Sequence, residues 1–152
     1  MKFYSAVIIV KDIERSKKFY MELMDQTIKY DFGKNITFDS GFCIWELRDE
    51  NIIKQKLDTL DCGNPLELYF EDENIESVFS KLKENDVKFL HEIQEEPWGQ
   101  RTIRFFDPDG HLLEVGEPLH IFVRNMYNKG MSLEDIVEKS GISVEHVKEF
   151  LK

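Results

Sequence analysis

Two strand-like stretches hold carboxylates where they could do chemistry. The run LELYFE alternates as a strand does, so Glu67, Tyr69 and Glu71 share one face. The run HLLEVGE alternates in the same way, and the preceding turn at 107–110 fixes the register of Glu114. Carboxylates held in this way can bind a cation, move a proton or pair with arginine. The other interpretation of Glu67 is an ordinary solvated strand residue.

Other side chains near these strands are candidates for ligand binding. Arg101 and Arg104 lie on opposite faces of the TIRFF strand pattern, so one of them can neutralise a carboxylate. A lone histidine such as His91 is more often a hydrogen-bonded surface or core residue than a ligand. Trp98 beside Gly99 suits either a loop over a cavity or a core position. The candidate ligand-binding residues are Tyr69, His91, Trp98 and Arg101.

The elements that position these side chains follow one order twice. Residues 3–10 predict a strand that is apolar on both faces and is therefore expected to be buried. It leads into an amphipathic helix that is capped by Asp12 and is expected to end near Asp25. Three strand patterns follow, QTIKYDF, NITFDS and GFCIWEL, and the same order then returns. Ile13 and Ile75 open the two helices, so Ser5 and Glu67 are equivalent positions. A single βαβββ unit that was duplicated explains both halves.

Residues 119–152 have a different character. Ser132 and Ser143 predict the starts of two short helices joined at Gly141, and the apolar run 119–127 predicts a third helix. The outline resembles a helix-turn-helix, but its glutamates would repel a phosphate backbone. We therefore expect these helices to pack on the rest of the protein or on a second subunit.

Composition limits the class of protein. The 152 residues include 30 acidic and 20 basic side chains, and the formal charge of -10 disfavours nucleic acid and anionic membrane surfaces as partners. The amino terminus lacks a signal-peptide pattern, and no apolar stretch has the length that spans a bilayer. The spacing of Cys43 and Cys62 matches no zinc or redox motif. We expect a cytoplasmic protein with reduced thiols.

Two longer motifs are VIIVKDIERSKKFY and PWGQRTIRFFDPDGHLLEVGE, and they lie in a region of about residues 3–118. They resemble the vicinal oxygen chelate superfamily, which includes glyoxalase I, bleomycin-resistance proteins, fosfomycin-resistance proteins and extradiol dioxygenases. The resemblance implies an α+β fold of two tandem βαβββ modules, at about 1–50 and 63–118, that form a cup-shaped mixed sheet. A C-terminal helical extension over residues 119–152, which lies outside the resemblance, would come after the second module. The resemblance also implies a homodimer.

The resemblance further implies where metal ligands would lie. Enzymes of the superfamily hold them on the first and last strand of each module, commonly His or Gln, then Glu, His and Glu. The matching positions are Ser5, Glu46, Glu67 and Glu114, so both first-strand histidines are missing. A serine contributes far less than imidazole to a transition-metal site, whereas a glutamate is still an oxygen ligand. The implied site is rich in carboxylates, with Glu67 and Glu114 as the catalytic candidates.

Carboxylates that converge repel one another, which leaves three arrangements open. A divalent metal such as Mg²⁺ or Mn²⁺ could lie among Glu46, Glu67 and Glu114 and polarise a substrate. Alternatively, Arg101 or Arg104 neutralises a carboxylate without a metal. In the third arrangement, burial raises the pKa of one glutamate, which then stays protonated.

Three functional hypotheses follow. The missing histidines favour a small-molecule-binding protein of the bleomycin-resistance kind, without a transition metal or other cofactor. Retention of Glu67 and Glu114 favours a metal-dependent lyase or isomerase of the glyoxalase I kind. The added helices favour a regulatory or protein-interaction module. We rank the hypotheses in that order.

Overall fold

The computed structural model describes residues 5–49 and 66–152. Residues 3 and 4 of the expected first strand, Cys62 and the start of the expected second module at 63 lie outside the described residues. The chain forms two compact units. The first comprises residues 1–66 with 107–111, and the second comprises residues 67–106 with 112–152.

The first unit contains one helix and one four-stranded sheet among its described residues. Its elements are β1 (Ala6–Val10), α1 (Ile13–Glu22), β2 (Ile28–Asp31), β3 (Asn35–Phe38) and β4 (Phe42–Glu46). The strand order is β1-β4-β3-β2, in which β1 and β4 are parallel and the other pairs are antiparallel. The predicted cap is confirmed, since the Asp12 carboxylate accepts the Arg15 amide at 3.0 Å.

The second unit repeats this arrangement. Its elements are β5 (Glu67–Glu71), α2 (Ile75–Glu84), β6 (Phe89–Glu95), β7 (Arg101–Phe106) and β8 (Leu112–Gly116). The strand order is β5-β8-β7-β6, again with the first pair parallel and the other pairs antiparallel. The two identical orders confirm the predicted pair of βαβββ modules in an α+β fold.

Apolar packing fixes which face of the second sheet meets its helix. Phe79 of α2 contacts Phe89, which contacts Phe105, with ring centroids 5.3 and 6.2 Å apart. Ile103 and Leu113 are fully buried on the same side as Phe105, as strand alternation requires. The alternate residues of these strands, including Arg104 and Glu114, therefore point away from α2.

Two expectations for the first unit are wrong. The strand β1 is buried on one face only, because Ile8 and Val10 are buried whereas Val7 is 49% exposed. The helix α1 ends at Glu22 rather than near Asp25. Asp25 has a φ of 50°, and a left-handed residue of this kind turns the chain after a helix has ended.

The C-terminal extension is confirmed as three helices, α3 (Leu119–Asn128), α4 (Leu133–Ser140) and α5 (Val144–Phe150). Both predicted serine caps are present, and Ser132 forms a reciprocal capping box with Asp135. The three helices bury a core of Phe122, Val123, Met126, Ile136 and Val147. Within the described ranges, every helix is too short or too polar to span a bilayer.

Candidate functional site

One row of side chains crosses the second sheet on the face that points away from α2. Strand pairing sets His91 opposite Arg104, Arg104 opposite Glu114, and Glu114 opposite Tyr69. Residues paired across neighbouring strands point to the same face of a sheet, so the four side chains are neighbours. Glu67 lies two residues before Tyr69 on β5 and shares this face.

Arg104 is the centre of this row. Its Nε donates to Glu67 Oε1 at 2.8 Å, its Nη1 donates to Glu96 Oε1 at 2.6 Å, and its Nη2 pairs with Glu114 Oε2. The Glu114 and Glu96 side chains are 6% and 10% exposed, whereas Glu67 is 36% exposed. Of the three arrangements expected from the sequence, this contact set matches neutralisation by Arg104.

The three carboxylates differ in their electrostatics. Burial raises the pKa of Glu114, and the charges of Glu67 and Glu96 add to this effect against the opposing charge of Arg104. Burial also acts to raise the pKa of Glu96, but hydrogen bonds from Arg104 and Thr102 outweigh it, so that pKa is lowered. One guanidinium thus serves three carboxylates, which leaves a formal excess of two negative charges among these four side chains.

His91 is held in one tautomer by its two neighbours. Its Nδ1 lies 2.7 Å from the carbonyl oxygen of Glu92, and its Nε2 lies 3.2 Å from Arg104 Nη1. A carbonyl oxygen only accepts and a guanidinium only donates, so Nδ1 bears the proton and Nε2 accepts. His91 therefore accepts a hydrogen bond from Arg104 and helps to orient it.

Tyr69 is held at the other end of the row by Gln100. The Gln100 side-chain amide donates to the Tyr69 hydroxyl at 2.8 Å, and the hydroxyl donates to Glu71 at 3.1 Å. Burial raises the pKa of Tyr69 to about 12, although the bond from Gln100 opposes the rise. Gly116 leaves the room for this contact, since a Cβ there would lie 2.7 Å from the Gln100 amide nitrogen and 3.1 Å from the Tyr69 hydroxyl.

Two of the predicted ligand-binding residues lie apart from the row. Arg101 points to the opposite face of β7, where its Nε donates to Glu117 at 2.9 Å and its Nη1 pairs with Glu76. Trp98 is 37% exposed and donates its indole N–H to Gln100 at 3.0 Å. Of the two alternatives for Trp98, the exposure excludes a fully buried core position.

The predicted alignment of Glu46 with Glu114 is wrong. Glu46 pairs with Val10 in the β1–β4 register, so it lies on the helix-facing side of its sheet. There its carboxylate accepts hydrogen bonds from the Ile13 amide at 2.8 Å and from Lys34 Nζ at 2.5 Å. Both contacts lower its pKa, the lysine bond more strongly. The first-unit counterpart of Glu114 is Cys43.

The strand registers support the assignment of Cys43. Val7 pairs with Cys43 as Tyr69 pairs with Glu114, and Thr37 pairs with Cys43 as Arg104 pairs with Glu114. Cys43 is buried, with its Sγ 3.1 Å from the Ser5 hydroxyl and 3.3 Å from the Thr37 hydroxyl. The first unit therefore has neutral groups where the second has charged ones.

Sequence reasoning missed Glu96, which contacts both Arg104 and Thr102. The strand β6 contains an irregularity between His91 and Gln94, so both residues pair with β7 residues of the site face although they differ in parity. Alternation counted from His91 therefore predicts the wrong face for Glu96. In the sequence, the only hint of this contact is that the Thr102 hydroxyl can donate a hydrogen bond to a carboxylate.

The carboxylates do not fit a divalent metal as they stand. Each of Glu67, Glu96 and Glu114 already contacts the Arg104 guanidinium, which occupies the place that a shared cation would need. A divalent ion needs several oxygen ligands at once, so it could bind among these carboxylates only by displacing the guanidinium. Among the residues that the structure describes, no group of three or more His, Cys, Asp or Glu side chains is placed to hold a metal ion.

Comparison with known proteins agrees with the fold. A family model described as Glyoxalase-like domain matches residues 3–120. A protein of unknown function from Agrobacterium tumefaciens is 36% identical, with a TM-score of 0.66 over 78% of this chain and 95% of that chain.

Two further structures are similar in fold alone. A glyoxalase/bleomycin resistance protein/dioxygenase from Nocardioides is 18% identical, with a TM-score of 0.61 over 77% of this chain and 83% of that one. The fosfomycin resistance protein FosX from Listeria monocytogenes is 21% identical, with a TM-score of 0.60 over 78% and 93% of the two chains. The duplicated βαβββ modules and the match over residues 3–120 place the chain in the glyoxalase-like family of the vicinal oxygen chelate superfamily.

Proposed function

We propose that this protein binds a small organic cation, without a metal, on the face of the second sheet that holds Glu67, Tyr69 and Glu114. The observation that supports the proposal is the sharing of one guanidinium by three carboxylates. Arg104 places three donor nitrogens on carboxylates, so it has little capacity left for an anionic ligand. The excess negative charge attracts a cation instead.

Glu67 is the carboxylate that a ligand can reach. Its side chain is 36% exposed, whereas Glu96 and Glu114 are almost covered. An ammonium or amidinium group can bind Glu67 through charge-assisted hydrogen bonds while Arg104 keeps its two buried partners. The buried carboxylates then add long-range attraction without losing their own contacts.

Tyr69 provides an aromatic surface beside this carboxylate. It is 48% exposed, and its hydroxyl is fixed by Gln100 and Glu71, so the ring has a defined position. A cation over the face of a tyrosine ring gains about 0.5–1 kcal/mol at an exposed site. An arylalkylamine such as phenethylamine, which combines a positive charge with an apolar ring, fits both features.

The metal-dependent lyase or isomerase hypothesis has less support. It required three carboxylates around one ion, but the register places Glu46 on the helix-facing side of its own sheet. The other two carboxylates are paired with Arg104. Binding without a transition metal is therefore the better supported of the two functions.

The proposal is tested by calorimetric titration of EDTA-treated protein with phenethylamine and with the anion hydrocinnamate. We expect the amine to bind and the anion not to bind, and we expect added salt to lower the affinity for the amine. Glu67→Gln should weaken binding about tenfold, as the loss of one charged hydrogen bond predicts. Glu92→Gln is the matched control, because Glu92 lies on the same sheet and pairs only loosely with Lys83 at 3.3 Å. Equal binding of both probes, or loss of binding after EDTA treatment, would contradict the proposal.

A further inference from the structure

We propose that Gln100 is a positioning residue that makes the placement of Tyr69 depend on the C-terminal helices. The site residues lie on β5 to β8, whereas the helices follow the sheet in the chain. Residues 95–100, here called the bridging loop, contact both. The inference extends the proposed function and rests on it for its ligand-binding measurement.

The bridging loop is held against α3 by a close contact. Gly99 lies so near α3 that a Cβ on it would be 2.7 Å from Met126 Sδ. Met126 is 3% exposed and belongs to the core of the three helices, so it cannot easily move away. The φ of Gly99 is 98°, a left-handed value that glycine adopts without strain.

Polar contacts add to the same attachment. Lys139 of α4 and Lys129, just after α3, reach the two oxygens of Glu95 at 2.6 and 3.5 Å. Asn125 of α3 donates to Glu117 at 3.2 Å. Exposed ion pairs contribute little energy individually, so the apolar contact at Gly99 is the main link.

The other end of the bridging loop reaches the site. Gln100 is 6% exposed and all of its side-chain polar atoms are engaged. Its amide nitrogen donates to the Tyr69 hydroxyl and to the Glu117 carbonyl, while its oxygen accepts from Trp98. Because both amide hydrogens and the oxygen have partners, Gln100 has one orientation. Movement of the loop therefore moves the donor on which the Tyr69 hydroxyl depends.

The link is tested by filling the space at Gly99 and then restoring it. Gly99→Ala should push the bridging loop away from α3, whereas the double variant Gly99→Ala/Met126→Ala should let it return in part, because alanine at a φ of 98° keeps its backbone strain. The indole N–H resonances report the loop, since Trp98 donates to Gln100 and Trp45 of the first unit does not. Gly130→Ala is the matched control, with a φ of 92° and open space around its Cβ position.

We expect Gly99→Ala to shift the Trp98 resonance and the Tyr69 ring resonances, and the double variant to shift both part of the way back. Phenethylamine affinity should fall about fivefold and recover in parallel, as the loss of one hydrogen bond predicts. A double variant that stays shifted would attribute the change to local backbone strain and overturn the proposal. An unshifted single variant would overturn it equally.

Gln100→Met provides a second test that leaves the helices untouched. It removes three hydrogen bonds, and it should move the Tyr69 and Trp98 resonances and weaken phenethylamine binding. The control Gln26→Met, which removes two hydrogen bonds elsewhere, should do neither. Unchanged Tyr69 resonances in Gln100→Met would refute the positioning role. If the resonances respond as expected but wild-type protein binds no phenethylamine, the proposed function fails while the positioning role stands.

Discussion

Replacing Arg104 by methionine should be strongly destabilising, because it removes the shared partner of three carboxylates. Glu114 and Glu96 are 6% and 10% exposed, so each would become a buried charge without its counter-ion. Removing one partner of a buried ion pair costs about 3–5 kcal/mol. Glu67 is 36% exposed and adds little. Since Thr102 still donates to Glu96, we expect a loss of about 3 kcal/mol near neutral pH.

The destabilisation should depend on pH with a defined sign. Burial already raises the pKa of Glu114 above its ordinary value of 4.5, and loss of Arg104 would raise it further. The pKa of Glu96 is lowered by its hydrogen bonds from Arg104 and Thr102, so the same loss would raise that pKa too. A carboxyl whose folded-state pKa is raised stabilises the protein below its unfolded pKa and loses that contribution as the pH rises. The deficit of Arg104→Met should therefore be largest above neutral pH and shrink towards pH 4.5.

Urea unfolding followed by circular dichroism at several pH values measures this effect. Arg124→Met is the matched control, since Arg124 is exposed and donates to the Phe150 carbonyl rather than to a carboxylate. Adding Glu114→Gln to Arg104→Met should recover about 1–2 kcal/mol of the free energy of unfolding, because it removes one buried charge that has lost its counter-ion. A loss below about 1 kcal/mol, or one that does not vary with pH, would refute the shared-guanidinium arrangement.

Three further predictions concern other parts of the chain. The hydrogen bond that His111 donates to the Asp107 carboxylate raises the pKa of His111 above 6.5. His111→Gln should therefore cost about 1–2 kcal/mol below that pH and less as the pH rises through the folded-state pKa, measured by urea unfolding. Gly116→Ala should displace Gln100 and cost about 1–3 kcal/mol in the same assay. Ile136→Ala should cost about 2–5 kcal/mol by opening a cavity among the C-terminal helices, visible as a lower melting temperature.

The modules could be predicted because local signals agree with the final fold. Asp12 caps α1, Ser132 and Ser143 cap α4 and α5, and alternation assigns Glu67, Tyr69 and Glu71 to one face. Each of these signals depends on residues within one element. They can therefore be recognised in the sequence before any tertiary contact is known.

The site was only partly predictable, because its contacts depend on register between strands. The sequence left three arrangements open for the carboxylates, and the choice of Arg104 follows from its pairing with Glu114. The Glu46 alignment failed because the connection between the last two strands differs between the modules. Six positions separate Thr37 from Cys43, whereas ten separate Arg104 from Glu114. The number of residues between the last two strands therefore does not locate the position equivalent to Glu114 in the first module.

The most direct test of the cation site is a crystal structure of the protein grown with phenethylamine. We predict density for the ammonium nitrogen within about 3 Å of a Glu67 carboxylate oxygen, with the phenyl ring of the amine near Tyr69. Arg104 should remain on Glu96 and Glu114. Ammonium density elsewhere on the chain, or a metal ion among these carboxylates in place of the guanidinium, would contradict the account.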